Sequence, residues 1–356
     1  MRTHRVPLAV ASAAAAALAA STLAACGGTS TTGSPAGTSS GAKTVTIYSA
    51  DGLADWYKPE FAQFTKQTGI SVNYVEAGSS EVVSRAEKER SNPQADVIVT
   101  LPPFIQQADS GGMLAKLSAD TSAIPATSKA ADGHWSALIN NYLCFIRNRA
   151  ATPAPATWAD LLKPQYKGKL QYSTPGEAGD GTALLVLLMH LMGKQGALNY
   201  LKQLTANDVG PSSSTGDLQP KVSSGQLEVA NGDVQMNQQS IQDQKSAFSV
   251  FFPAQPGQRP VTVALPYDIA LTSDAPHSAN GARLIGFLLS QDVQSTVSSK
   301  AFGFPVRTDV HPADANFATL NALLQGVQVY YPDWDTISGE LDQDLAAYNS
   351  ATGSGS

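Results

Sequence analysis

The chain has few of the residues that hold small secreted domains together or that carry most metal and redox chemistry. It contains only two cysteines, Cys26 and Cys144. Cys26 ends an N-terminal leader, so Cys144 is left alone in the apolar stretch YLCFI. No intramolecular disulfide can form in the mature protein. A lone cysteine in such a setting reads as core filler. The five histidines, at 4, 134, 190, 277 and 311, have no ligand-like spacing with one another or with cysteine, which removes support for a zinc site. Charged residues make up only 15% of the chain and the net charge is -6. With no basic stripe, nucleic acid is not an expected partner. The chain also lacks a GxxxxGK loop, a Gly-x-Ser-x-Gly elbow with a matched histidine, and an acidic cluster suited to magnesium. No internal repeat is visible. The enzyme classes those features mark are disfavoured, and neither a cofactor nor a metal is implied.

What is present begins with a leader. MRTHRVPLAVASAAAAALAASTLAAC joins Arg2 and Arg5 to a small-apolar run and closes on Leu23-Ala24-Ala25-Cys26. That layout is a secretory signal over 1–25, too rich in alanine for a transmembrane helix. Its ending resembles the bacterial lipobox, in which the cysteine becomes the lipidated first residue. Residues 26–43 then read as a tether without core-forming side chains, with a coil span of roughly 20–25 Å. The expected location is extracytoplasmic, anchored to the outer face of the cell membrane through Cys26.

About 310 residues follow, enough for two lobes with their own cores. TVTIYSADG, ISVNYVEAG and ADVIVT read as strands. ADWYKPEFAQFTKQTG and SSEVVSRAEKER read as the helices between them, the second capped by Ser79 or Ser80. This β-α-β-α-β rhythm predicts a parallel sheet whose ligand site lies at the carboxyl ends of its strands. Two long β-runs, 140–149 and 261–272, are candidate crossovers to a second α/β lobe, the later one broken at Pro266. Between them lie a helix capped by Thr157, the strand KLQYS, the apolar helix GTALLVLLMHLMG, a helix from about Val234 and the strand FSVFFP. The expected division is 44–139 for the first part of lobe 1, 140–262 for lobe 2, 263–349 for the return crossover and the rest of lobe 1, and 350–356 for a flexible tail.

Strand ends and helix starts supply the candidate site. Ser49 and Asp51 flank the end of the first strand. Ser79 and Ser80 head a helix, and Thr100 ends the third strand. In QYSTPGEAGDGTALL, Ser173 and Thr174 close a strand, while Asp180, Gly181 and Thr182 open a helix. Asp233 stands at another strand-to-helix junction, and Tyr267 and Asp268 follow Pro266. Each has a local alternative: an Asx-turn for Asp51, helix capping for Ser79, Ser80, Asp180, Thr182 and Asp233, and hinge packing for Tyr267.

YSADGL, ERSNPQADVIVTLPPFIQQA, LQYSTPGEAGDGTA, VGPSSSTG, VANGDVQMN and GFPVRTDV together resemble the substrate-binding proteins of bacterial 2-aminoethylphosphonate ABC importers. These sit within the larger group that includes ferric-ion and polyamine binders. The resemblance runs from about 44 to 340. It implies a type II periplasmic-binding-protein fold, two α/β lobes joined by a two-strand hinge around a central cleft. It also implies no catalysis, monomeric action, and delivery of ligand to a membrane permease with its ATPase. A phosphonate end would then take hydroxyls and helix-start amides from Ser49, Ser79, Ser80, Thr100, Ser173, Thr174, Gly181 and Thr182. An ammonium end or cleft wall would draw on Asp51, Asp180, Asp233, Tyr267 and Asp268. A phosphate-like oxyanion, a ferric ion or a polyamine are alternative ligands for the same fold, and a secreted phosphonate-processing enzyme is a remote one. Iron would call for paired tyrosines, and Tyr330-Tyr331 is the one adjacent pair.

Overall fold

The computed structural model describes residues 43–354; the signal peptide and Cys26 lie outside that range. The first lobe begins as the rhythm of its sequence dictates, with β1 (Thr44–Ala50), α1 (Ala54–Thr68), β2 (Ser71–Ala77), α2 (Ser79–Lys88), β3 (Val97–Thr100) and α3 (Phe104–Ser110). α1 ends where Gly69 takes a left-handed conformation and its amide bonds to Thr65 O, as a glycine C-cap should. The helix start at Ser79 differs from expectation. Neither serine caps α2; its N-cap is Gly78, which has no side chain to offer.

β4 (Leu114–Ala115) and β5 (Trp135–Asn140) follow, then β6 (Leu143–Asn148). The run expected as one strand over 140–149 is thus two, broken at Asn141–Tyr142 where the chain passes between sheets. The backbone turns there because Asn141 Oδ1 accepts from the amides of Tyr142 and Gln235. The next elements are α4 (Trp158–Leu161), β7 (Leu170–Gln171), α5 (Gly179–Leu204), α6 (Leu218–Ser223), β8 (Val229–Asp233), α7 (Val234–Asp243) and β9 (Phe248–Phe251). Thr157 caps α4 in a full capping box with Asp160. α5 is kinked at Gly193, whose φ of 70° breaks the helical path.

The chain returns through β10 (Val261–Val263) and β11 (Tyr267–Thr272), with the break at Pro266 as the sequence predicts. It ends with α8 (Ser278–Leu288), α9 (Gln291–Gln294), β12 (Phe304–Pro305), α10 (Ala315–Leu324), β13 (Gln328–Tyr330) and α11 (Trp334–Thr352). Two main sheets result. One runs β12-β5-β11-β3-β1-β2 with β4 beside β11; the other runs β7-β8-β6-β9. β1, β2 and β3 are parallel, while β11 enters antiparallel to β3.

Alternate residues of the first sheet feed two cores. Ile47, Val97, Val99 and Ile269 pack with Trp56 and Phe64 of α1 and with Leu284 of α8. Tyr48, Ile98 and Ala270 pack with Val82 of α2 and Ile105 of α3. In the second sheet Phe145, Leu170 and Val229 meet the apolar face of α5, whereas Ile146, Ala230 and Phe248 meet α6. Cys144 is a buried free thiol.

The end of the chain departs from the expected division. Residues up to 349 were expected to complete lobe 1, yet Leu320 of α10 packs with Cys144 and Val234. α11 touches both lobes: Tyr348 Oη stands 2.9 Å from Tyr172 Oη and Asp344 pairs with Lys194, while Leu341 and Leu345 share a pocket with Val83 of α2 and Phe104 of α3. Sequence periodicity finds an amphipathic helix but does not say which surface covers it.

Candidate functional site

The site lies where loops of the first sheet meet those of the second. Asp51, just past β1, reaches across: its Oδ2 accepts from Ser214 Oγ at 2.7 Å and from the Gly216 amide at 3.0 Å. Gly216 is required by this approach, since a Cβ there would stand 2.9 Å from Asp51 Oδ2. Gln235 Nε2 donates to Gly52 O, and Gln239 Nε2 donates to Asp55 Oδ2, each at 3.0 Å. The Tyr267 hydroxyl lies 3.0 Å from Asp51 O, 3.2 Å from Gln235 Oε1 and 3.4 Å from Asp233 Oδ2. The two halves are therefore closed on one another.

Three carboxylates gather in this junction. Asp180 and Asp233 are almost fully buried. Burial pushes the Asp180 carboxyl well above the usual carboxylate range, and repulsion from Asp233 and Asp51 adds to it. Asp51 and Asp233 are raised as well, again chiefly by desolvation and against the pull of their hydrogen bonds. The same three charges raise the Tyr267 phenol, after burial. Among the described residues none of the three carboxylates forms an ion pair with lysine, arginine or histidine. Asp180 Oδ1 has no partner at hydrogen-bond distance, and a weaker pull from the Thr215 hydroxyl and its own amide does not offset its burial. A buried charge without compensation is costly, and this one sits in the first turn of α5.

Facing these groups are two helix starts in contact. A Cβ on Gly179 would come within 3.0 Å of Ser79 Oγ and 2.8 Å of Leu101 Cβ, and the Ser80 amide donates to Glu177 O at 3.1 Å. Neither α2 nor α5 has a side-chain cap. In α5 the Thr182 amide is bonded back to Ala178 O. The amides of Gly179, Asp180 and Gly181 precede it and have no acceptor within the helix. Uncapped helix starts favour an anion. Beside the junction is a cavity of about 170 Å³ lined by Asp51, Glu76, Gln219 and Gln239 among others.

Of the residues singled out from sequence, Asp51, Ser79, Asp180, Asp233 and Tyr267 meet here, whereas Ser80 lines a separate pocket with Phe104 and Leu341. Asp233 also caps α7 by accepting from the Met236 amide at 2.8 Å. Asp51 caps nothing, for the N-cap of α1 is Leu53.

The remaining hydroxyls are spent within the fold. Ser49 Oγ donates to Ala50 O, and Thr100 Oγ1 donates to Ser79 O, tying β3 to the start of α2. Ser173 bonds to Asn231 through both its amide and its hydroxyl. Thr174 pairs with Ser212 in both directions. Thr182 Oγ1 accepts from the Gly176 amide and donates to Ala178 O. Gly181 serves close packing of its own chain, because a Cβ there would stand 2.2 Å from Ser173 O. Asp268 parts company with Tyr267 and lines a different cavity.

Sequence reasoning missed Gln235 and Gln239, whose spacing of four residues on α7 was the available signal. Tyr330 and Tyr331 stand outside the junction: Tyr330 stacks on His190 at 3.7 Å, and Tyr331 is 70% exposed.

Comparison with known proteins gives this geometry its setting. A Salmonella typhimurium protein named for 2-aminoethylphosphonate binding in the periplasm is 47% identical over 315 residues, covering 86% of this chain and 92% of the relative. Among solved structures, the Actinobacillus pleuropneumoniae periplasmic binding protein AfuA with fructose-6-phosphate bound superposes with a TM-score of 0.74 at 18% identity, over 87% of this chain and 99% of that one. The apo ferric ion-binding protein A of Pasteurella haemolytica gives 0.69 at 21% identity, over 87% and 98%. The fold is that of type II periplasmic binding proteins. The model of the bacterial extracellular solute-binding proteins matches residues 61–324, and the chain belongs to that family.

Proposed function

We propose that this protein is the extracytoplasmic ligand-binding component of an ABC importer. It captures 2-aminoethylphosphonate, or a close aminophosphonate, without turning it over. Membrane attachment runs through lipidated Cys26, and the closed, loaded monomer is what the permease and its ATPase receive. The two lobes divide near 140 and 263, with α10 and α11 packed against both. The observation that carries the reading is the carboxylate of Asp180, with one oxygen lacking a partner at hydrogen-bond distance, beside Asp51 and Asp233 at the uncapped start of α5, against which the uncapped start of α2 abuts. An ammonium repays the desolvation of those carboxylates, and a phosphonate takes the free amides of α5 and the Ser79 hydroxyl. The name of the Salmonella relative points to the same zwitterion.

Calorimetry on the protein lacking its leader and tether tests this against 2-aminoethylphosphonate, ethylphosphonate, phosphate and putrescine. The expected order places 2-aminoethylphosphonate first, with the amine-free analogue at least about tenfold weaker, the worth of one charge-assisted bond. Binding of putrescine alone would overturn the ligand assignment. Consumption of the phosphonate would overturn the non-catalytic one.

A further inference from the structure

A second cavity, mostly apolar in its lining, lies apart from the Asp51 group. It encloses about 750 Å³ and is bounded by both connections between the sheets, at Asn140–Tyr142 and at Ala264 and Pro266. Asp268 lines it from β11. That carboxyl is only 1% exposed, and neither oxygen has a hydrogen-bond partner. Burial alone pushes it well above the usual carboxylate range, with no push from Asp51, Asp180 or Asp233. The Gln106 amide oxygen is a second buried acceptor there without a donor. The other lining carboxylate, Asp333, is already used by the amide and hydroxyl of Thr336 at the start of α11.

The rest of the wall mixes the aromatics Trp135, Tyr142, Tyr331 and Trp334 with prolines and with the polar groups of Thr127, Ser128, Asn140 and Asn141. Three unpartnered acceptor oxygens, two of them on an ionisable group, stand against one unpartnered donor, Asn141 Nδ2, and the excess of acceptors calls for a donor that brings charge. Aromatic faces attract a cation and reject an anion. We infer that this cavity is a second ligand site, distinct from the Asp51 group, that takes a small organic ammonium with its charged end on Asp268 and Gln106 and its carbon chain against the tryptophans. Its position against both connections means that an occupant touches the segments on which the sheets would move. The inference does not depend on which ligand the Asp51 group holds.

n-Butylammonium chloride is the probe. Two of the four tryptophans line the cavity, so intrinsic fluorescence reports occupancy, and calorimetry gives the affinity. The expected result is saturable binding at millimolar probe, retained when the protein is already saturated with 2-aminoethylphosphonate. Asp268→Asn should weaken it at least tenfold while leaving 2-aminoethylphosphonate affinity within twofold. Trp334→Leu, at a partly exposed position, should weaken the probe several-fold, and its melting temperature checks that the fold survives. Absence of saturable binding, or equal binding by Asp268→Asn, overturns the inference. So does competition between probe and aminophosphonate with a matching loss of both in Asp268→Asn, which would assign Asp268 to the first site.

Discussion

Replacing Asp180 by asparagine keeps the shape of the side chain and removes its charge. On the proposed reading the carboxylate faces an ammonium in the ligand-bound protein, and a hydrogen bond to a charged group is worth about 1.5–3 kcal/mol. At about 1.4 kcal/mol per factor of ten, the variant should bind 2-aminoethylphosphonate about ten- to a hundredfold more weakly. Ethylphosphonate has no ammonium to lose and is itself an anion beside three carboxylates, so its affinity should stay level or rise.

The ligand-free protein should move the other way. Asp180 is 4% exposed with one oxygen unpartnered, and burying such a charge costs several kcal/mol. Its favourable place in the first turn of α5 is worth about 0.3–1 kcal/mol, the smaller term. The melting temperature should therefore rise. Calorimetric titration with both ligands, and scanning calorimetry without ligand, measure the three quantities. Equal losses for both ligands, or a lower melting temperature with affinity intact, would show that Asp180 only starts the helix.

Four further outcomes are expected. Asp51→Asn weakens the latch to Ser214 and Gly216 and removes one of the three charges assigned to the ammonium, so 2-aminoethylphosphonate should lose about tenfold or more in calorimetry and ethylphosphonate less; equal losses for both would leave Asp51 to the latch alone. Gly181→Ala drives a Cβ into Ser173 O, and overpacking of this kind costs about 1–3 kcal/mol, read as a drop of several degrees in thermal melting. The raised carboxyls of the Asp51 group must be ionised to hold an ammonium. 2-Aminoethylphosphonate affinity should then fall as pH is lowered through their raised values, while ethylphosphonate binding stays flat or improves, and titrations from about pH 8 to about pH 5 check it. Asp208 has its carboxyl raised to about 7 by burial. The folded state thus holds that proton more tightly than the unfolded chain, and the destabilisation from ionising it is absent below about pH 3.8 and grows until about pH 7. Asp208→Asn should raise the melting temperature at pH 8 and leave it unchanged at pH 4.

The strand-and-helix rhythm of the first lobe was legible because each element carries its own signal. TVTIYS alternates, Gly69 stops a helix, and VIVT is apolar throughout. Breaks and caps were less so. The turn at Asn141–Tyr142 depends on an asparagine side chain bonding a distant amide from Gln235, which no local pattern reveals. The Ser79 junction looked like a serine cap because serine is a good capping residue, yet the chain placed glycine there and brought a second helix start against it. The carboxylates that gather at the junction were singled out by their position at a strand end, for Asp51, and at strand-to-helix junctions and a helix start, for Asp233 and Asp180. Hydroxyls at those ends are ambiguous by chemistry, since a serine that bonds its own backbone and one that waits for a ligand look the same in sequence. Ser49, Thr100, Ser173, Thr174 and Thr182 belong to the first kind. Gly181 looked like space for a ligand and is space for Ser173.

After β12 has paired in the first sheet, α10 and α11 pack against both halves, so that β13 lies beside the two connections as a third segment at the boundary between the sheets. β10, from the second connection, and β13 are themselves paired in parallel. Two strands side by side resist twisting and sideways slip while still permitting a bend across their width. A joint of that kind guides a swing along one path, as paired hinge pins guide a door, so the Asp51 latch meets Ser214 and Gly216 in the same register each time it shuts.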